Sequence, residues 1–186
     1  LYNAAFILML ASPVLTMRLV SEEKKSKTIE LLLTSPISPF EIIAGKFLAC
    51  FILYLVLMIL TLQYPMILAH YSQDFDIGPI YSGYLGLALL GAAYISFGLF
   101  ASTLTENQII AAMVSFGGLV LFWIFGWAKH AFENDFGELL GNMSLFDRYS
   151  EFLRGIVDSG NVIFFVVFSM VWLFLAMRVL ESDRWR

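Results

Sequence analysis

Five apolar stretches, each long enough to cross a lipid bilayer, constrain this chain more than any other feature. They cover about residues 1–17, 47–69, 83–104, 109–128 and 162–180. A helix needs about 20 mostly apolar residues to cross a hydrocarbon core of about 30 Å. None of the stretches alternates with period 2, and each is too long for a barrel strand, so helices are preferred over a membrane β-barrel. The predicted fold class is all-α, a polytopic membrane helical bundle with five transmembrane helices. Composition excludes the soluble alternative. Sixty per cent of the residues are hydrophobic and 14% are charged, against about 45–50% and 25% in soluble domains. A chain of 186 residues has too much surface for its volume to hide that excess from water.

The charges outside the spans set an orientation. The 18–46 connection carries Arg18, Lys24, Lys25, Lys27 and Lys46, and the C-terminal end carries Arg178, Arg184 and Arg186. The 129–161 segment has only Lys129, Arg148 and Arg154, outweighed by acidic residues. The positive-inside rule therefore predicts a cytoplasmic 18–46 loop and an external 129–161 segment. Leu1 then falls on the outer side, inside an apolar run that does not begin with Met. The expectation is a sixth helix upstream, five of six being present here.

The 18–46 loop is the most informative polar segment. Ser21 is read as the cap of a short helix opening with Glu22 and Glu23, which suit a helix N-terminus. Glu23 and Lys27 have i,i+4 spacing in the favourable order. Ile29, Leu32 and Leu33 form one apolar side. Further on, Ser38, Pro39 and Glu41 supply a serine cap, a proline at the first helical position and a glutamate three after the cap. The helix they start runs past Gly45 and Lys46 into the second span. Two readings stay open: a loop tied down at the membrane surface, or a docking element that receives force from a partner.

Small residues stripe the third and fourth spans: Ala88, Ala92 and Ser96 four apart, then Ala111 and Ser115. Such stripes permit close helix approach, either within the subunit or as a dimer seam. Thr105–Gln108 is too short for anything but an antiparallel turn, and Asn107 or Thr105 suits the cap of the next helix. Gln63 and Pro65 mark a kink and an interhelical hydrogen bond in the second span. Leu145 to Val157 reads as an amphipathic external helix, capped by Ser144, lying at the interface. Arg148 with Glu151, and Glu151 with Arg154, have i,i+3 spacing, and Phe152 lies on the apolar side. The Asn142-Met143-Ser144 sequon is read as chance.

Catalytic signatures are missing. There is no phosphate-binding glycine loop with Lys-Ser/Thr, so ATP is not bound in that way. Only His70 and His130 exist, without a His-Glu-x-x-His pattern, and the lone Cys50 forms neither a disulfide nor a multi-cysteine metal cluster. No catalytic residue and no metal ligand is assigned. No span holds an ionisable residue near its centre, which argues against a proton-coupled pump. A net charge of -4 gives no reason to expect a nucleic-acid partner.

The loop residues carry a family resemblance. Met17-Arg18-Leu19-Val20-Ser21-Glu22-Glu23-Lys24, Thr28-Ile29-Glu30-Leu31-Leu32, Thr34-Ser35-Pro36-Ile37-Ser38 and Gly45-Lys46 closely resemble the permease subunits of ABC-2 type transporters. The run Phe146 to Asp158 and the terminal Leu180-Glu181-Ser182-Asp183-Arg184-Trp185 look like a branch containing gliding-motility-associated permeases. That branch also holds permeases linked to nitrous-oxide reductase maturation. The resemblance implies a six-helix inner-membrane permease that pairs with a second permease subunit, as homodimer or heterodimer, and with two ABC ATPase subunits. ATP and Mg belong to the ATPases, with no cofactor in this chain. Glu22, Glu23, Glu30, Ser38 and Glu41 map onto the coupling segment, and Arg18 and Lys46 onto the membrane boundary. The external helix, with Arg148, Glu151, Phe152 and Arg154, would cover the outer mouth or meet a periplasmic partner. The implied activity is ATP-driven export, with membrane lipid or another apolar molecule as candidate cargo. The rival reading is a structural or regulatory component of a motility or secretion machine that moves no solute.

Overall fold

The computed structural model describes residues 1–29, 36–71, 78–131, 137 and 141–183. Its elements among these are α1 (Tyr2–Thr16), α2 (Ser21–Lys25), α3 (Pro39–Thr61), α4 (Gln63–Tyr71), α5 (Gly78–Thr103), α6 (Gln108–Ala131), α7 (Leu145–Leu153) and α8 (Ser159–Asp183). The fold is all-α, as the apolar stretches predict. Five helical stretches, the second being α3 with the start of α4, are long and apolar enough to cross a membrane.

Helix α5 is the centre of the bundle. Its most apolar window is 72% buried, against 17–39% for the other four stretches. A helix apolar all round with such burial is a core element, whereas the others keep broad apolar faces outward, the pattern lipid requires. Close approach to α5 depends on glycine. Gly91 faces the ring of Tyr54 from α3, leaving no room for a Cβ. The Tyr54 hydroxyl then donates to the Leu87 carbonyl at 2.7 Å. Gly86 takes Phe152 of α7 in the same manner, a Cβ there falling 2.6 Å from the phenylalanine. Ala88 and Ala92, read as the packing stripe, are only half-buried. Ser96, Ala111 and Ser115 are buried.

Pro39 and Pro79 stand at helix starts, whereas Pro13 and Pro65 each leave a helical carbonyl without its usual N–H. Pro13 of α1 has no N–H for the Met9 carbonyl, and the Ser12 hydroxyl donates to that oxygen at 3.2 Å. Pro65 cannot serve the Thr61 carbonyl, and the helix breaks at Leu62 between α3 and α4. The kink is where Gln63 and Pro65 placed it. Gln63 makes no interhelical bond there; Thr61 does, its hydroxyl 3.1 Å from that of Tyr84. Asn107 caps α6 through Ile109 N–H at 2.9 Å, as its position predicts.

Helix α7 is shorter than the sequence pattern predicts and sits deeper. It ends at Leu153, with Gly155 at φ 84. The N–H of Gly155 reaches the Phe152 carbonyl and that of Ile156 the Glu151 carbonyl, the paired bonds of a glycine-terminated helix. Ser144 caps its start by accepting from Asp147 N–H at 3.2 Å. Leu145, Phe146, Tyr149 and Phe152 bury one face in the main core with Leu87, Leu90 and Phe165. Phe152 is therefore a core residue. The Tyr149 hydroxyl is buried and has no hydrogen-bond partner among the described residues. Burial above all, and then nearby Tyr84, pushes that phenol up from its ordinary range, so it stays neutral. Trp172, in the middle of α8, packs against Phe97 of α5, with ring centroids 4.6 Å apart.

Candidate coupling site

Helix α2 has five residues and cannot hold itself together. The ends of the long helices hold it. Ser21 is not its cap: the residue before it, Val20, occupies that position without a side-chain bond, and the Ser21 hydroxyl turns back to the Met17 carbonyl. The capping oxygen comes from α5 instead. Ser102 Oγ accepts from Val20 N–H at 3.0 Å and from Ser21 N–H at 3.1 Å. It donates in turn to the Met17 carbonyl at 3.1 Å. One buried hydroxyl thus satisfies the start of α2 and the end of α1 together.

Two lysines complete the attachment. Lys24 Nζ lies 2.5 Å from the Thr103 carbonyl and 2.5 Å from Asp183. It joins α2 to the C-terminal ends of α5 and α8, where the helix dipole favours a cation. Lys46 Nζ lies 2.5 Å from the Leu19 carbonyl and 2.5 Å from Glu23 Oε1. The predicted Glu23–Lys27 pair does not form, because Lys27 leaves the helix at φ 59. Glu23 turns inward to Lys46 instead. Beneath these bonds, Val20, Ile29, Ile42, Ile43, Leu99, Ala176 and Leu180 form a separate apolar cluster. The start of α3 is fixed as predicted: Glu41 N–H donates to Ser38 Oγ at 3.3 Å, and Ser38 N–H donates to Glu41 Oε2 at 2.8 Å.

The sequence-predicted site residues divide by environment. Glu23 and Lys46 are inside the clamp, while Arg18, Glu22, Ser38 and Glu41 face outward. Lys25, Ile37 and Phe40 are also exposed. Glu30, with Leu32 and Leu33 of the proposed apolar side, lies outside the described residues. So do Arg184 and Arg186, and nothing is described of the His70 and His130 side chains. Ser102, Thr103 and Asp183 were missed by sequence reasoning. Ser102 and Thr103 lie near the end of an apolar span and Asp183 in the terminal run, with no local pattern that marks them as partners of α2.

At the opposite end, the two predicted i,i+3 ion pairs of α7 are replaced by a bridge. Arg148 Nη1 donates to Asn161 Oδ1 at 2.9 Å, and the Asn161 amide donates to Glu151. Arg154 is exposed. Asn161 links the two charges because it opens α8 directly beneath α7. Among the described residues no group of three His, Cys, Asp or Glu could hold a metal ion.

A bundle of bilayer-length apolar helices around one buried helix, with a short polar helix fastened across their ends, defines a multi-pass membrane protein. The chain belongs to the ABC-2 family transporter proteins, whose family model matches residues 1–134. That match takes in α1 to α6 and the whole clamp except Asp183. No curated protein and no solved structure matches the chain. Its general function is that of an ABC-2 type membrane permease, a family that works with an ABC ATPase subunit.

Proposed function

We propose that this permease subunit couples through α2 to separate cytoplasmic ATPases and exports its cargo across a bacterial inner membrane. The observation that carries the reading is the clamp. Ser102, Lys24 and Lys46 tie five residues of α2 to the ends of α1, α3, α5 and α8. A push on the exposed side of α2 is thereby delivered to four long helices at once. The 18–46 loop is taken as cytoplasmic by its excess of Lys and Arg, and α7 as external. Glu22, Glu23, Glu30, Ser38 and Glu41 are the proposed coupling residues, and Arg18 and Lys46 mark the membrane boundary. ATP and Mg would bind in the ATPases. A second permease subunit completes the complex, with Ala88, Ala92, Ser96, Ala111 and Ser115 as candidate packing or seam positions. The half-exposure of Ala88 and Ala92 favours them as contacts to that second subunit.

The finer family branch, that of gliding-motility and nitrous-oxide-reductase-maturation permeases, rests on the resemblance of the Phe146–Asp158 run and the terminal Leu180–Trp185 segment. The very apolar outward faces favour lipidic or apolar cargo. They equally support the rival reading of a regulatory component that engages the ATPase without moving solute. Charge reversal at Glu22 and Glu23 separates a coupling role from a structural one. In the reconstituted complex, Glu22→Lys is expected to lower ATP hydrolysis with thermal stability unchanged, because Glu22 is exposed. Glu23→Lys is expected to lower both, because it breaks the Lys46 pair. Wild-type hydrolysis in the Glu22→Lys complex would remove the role assigned to α2.

A further inference from the structure

At the end opposite α2, an apolar groove of about 480 Å³ runs down α8 beside α6. Phe122, Ile163, Phe164, Phe168 and Trp172 line much of it, and Arg148 is the one charged residue at its wall. That guanidinium is held in place. Its Nε donates to the Asn142 carbonyl and its Nη1 to Asn161 Oδ1, both at 2.9 Å. Its carbon lies 4.1 Å from the Phe164 ring centroid. All of these partners are neutral. The acidic residue one turn along, Glu151, is bonded by the Asn161 amide, and no ion pair of Arg148 exists among the described residues. A half-buried cation positioned by neutral groups keeps its charge available for a ligand.

The geometry points to a binding site for an anionic phospholipid, its phosphate on Arg148 and one acyl chain in the groove. Three features favour this occupant. The groove opens on the outward, lipid-facing side of α8, where Ile163, Val167 and Val171 are exposed. Its lining runs from Gly160 to Trp172, twelve residues of helix or about 18 Å at 1.5 Å per residue. One leaflet of a bilayer core is about 15 Å deep, so a chain whose head group rests at Arg148 reaches its end near Trp172. A single guanidinium above an apolar channel also complements a phosphate ester with a long tail, and offers nothing to a hydrated free anion further down. This site does not depend on export, since a regulatory component would hold the same lipid.

The test uses the full chain in nanodiscs of phosphatidylcholine doped with phosphatidylglycerol, with the lipid retained after detergent extraction quantified. The wild type is expected to retain phosphatidylglycerol at least fivefold over its share in the disc. Arg148→Gln is expected to abolish that preference, and Arg148→Lys to keep part of it. Val167→Trp, which fills the groove, is expected to reduce retention of both lipids. Thermal stability in pure phosphatidylcholine discs reports whether each variant is folded. A folded Arg148→Gln protein that still prefers phosphatidylglycerol would overturn the site. So would displacement of the lipid by millimolar inorganic phosphate, which would make Arg148 a free-anion site.

Discussion

Ser102 shows how much one side chain can organise. Its buried hydroxyl accepts two backbone N–H groups and donates to a carbonyl. Ser102→Ala leaves the Val20 and Ser21 N–H groups without their acceptor, and a buried unsatisfied polar group costs about 1–3 kcal/mol. The expected result is a lower Tm in detergent and faster proteolysis within α2. A Tm equal to that of the wild type would deny the hydroxyl its capping role. Tyr149 presents the opposite case. Its ring fills the core, but its buried hydroxyl has no partner among the described residues. Tyr149→Phe removes that penalty and keeps the ring, so stability is expected to hold or rise by up to about 1–3 kcal/mol. A clear fall in Tm would reveal a hydrogen bond made by that hydroxyl in the membrane.

At the scale of elements, the clamp makes α2 part of the bundle instead of a free loop. The Lys24–Asp183 pair is partly shielded, with side-chain exposures of 12% and 30%, so it is worth more than an open surface pair. Lys24 also holds the Thr103 carbonyl. A hydrogen bond to a charged group contributes about 1.5–3 kcal/mol. Lys24→Ala is expected to cost that order of stability, and Asp183→Asn less. A double-mutant cycle should show non-additivity, and strictly additive losses would mean the pair is not formed. The α3–α5 contact makes a second test. Gly91→Leu must push Tyr54 aside and break its bond to the Leu87 carbonyl. A fall in Tm is expected, larger than that from Gly117→Leu, since Gly117 has open space around it.

Across the whole molecule, the five spans were legible because their signal is local: a run of apolar residues identifies itself. The Ser38–Glu41 cap, the Asn107 cap and the Pro65 kink were legible for the same reason, each being contained within a few residues. The clamp was not. Ser102 lies 81 positions from Ser21, and Asp183 is farther still from Lys24. A serine near the end of an apolar span carries no mark of the helix it will cap. The predicted Glu23–Lys27 pair failed because Lys27 lies past the end of α2 at positive φ while Lys46 takes Glu23, and the Arg148–Glu151 pair failed because Asn161 bonds both side chains. Helix α7 was drawn too long because Ile156 and Val157 continue its apolar pattern past the Gly155 turn. The proposed role of α2 is to be the surface an ATPase pushes. It is tested without knowledge of cargo by placing a single cysteine at Lys25 in a Cys50→Ala background. A control cysteine is placed at Asp158. Each is then crosslinked in the purified complex with and without ATP. The Lys25→Cys protein is predicted to form an adduct with the ATPase subunit whose yield changes with nucleotide, while Asp158→Cys forms none. An ATPase adduct from Asp158→Cys, or none from Lys25→Cys in an active complex, would contradict the account.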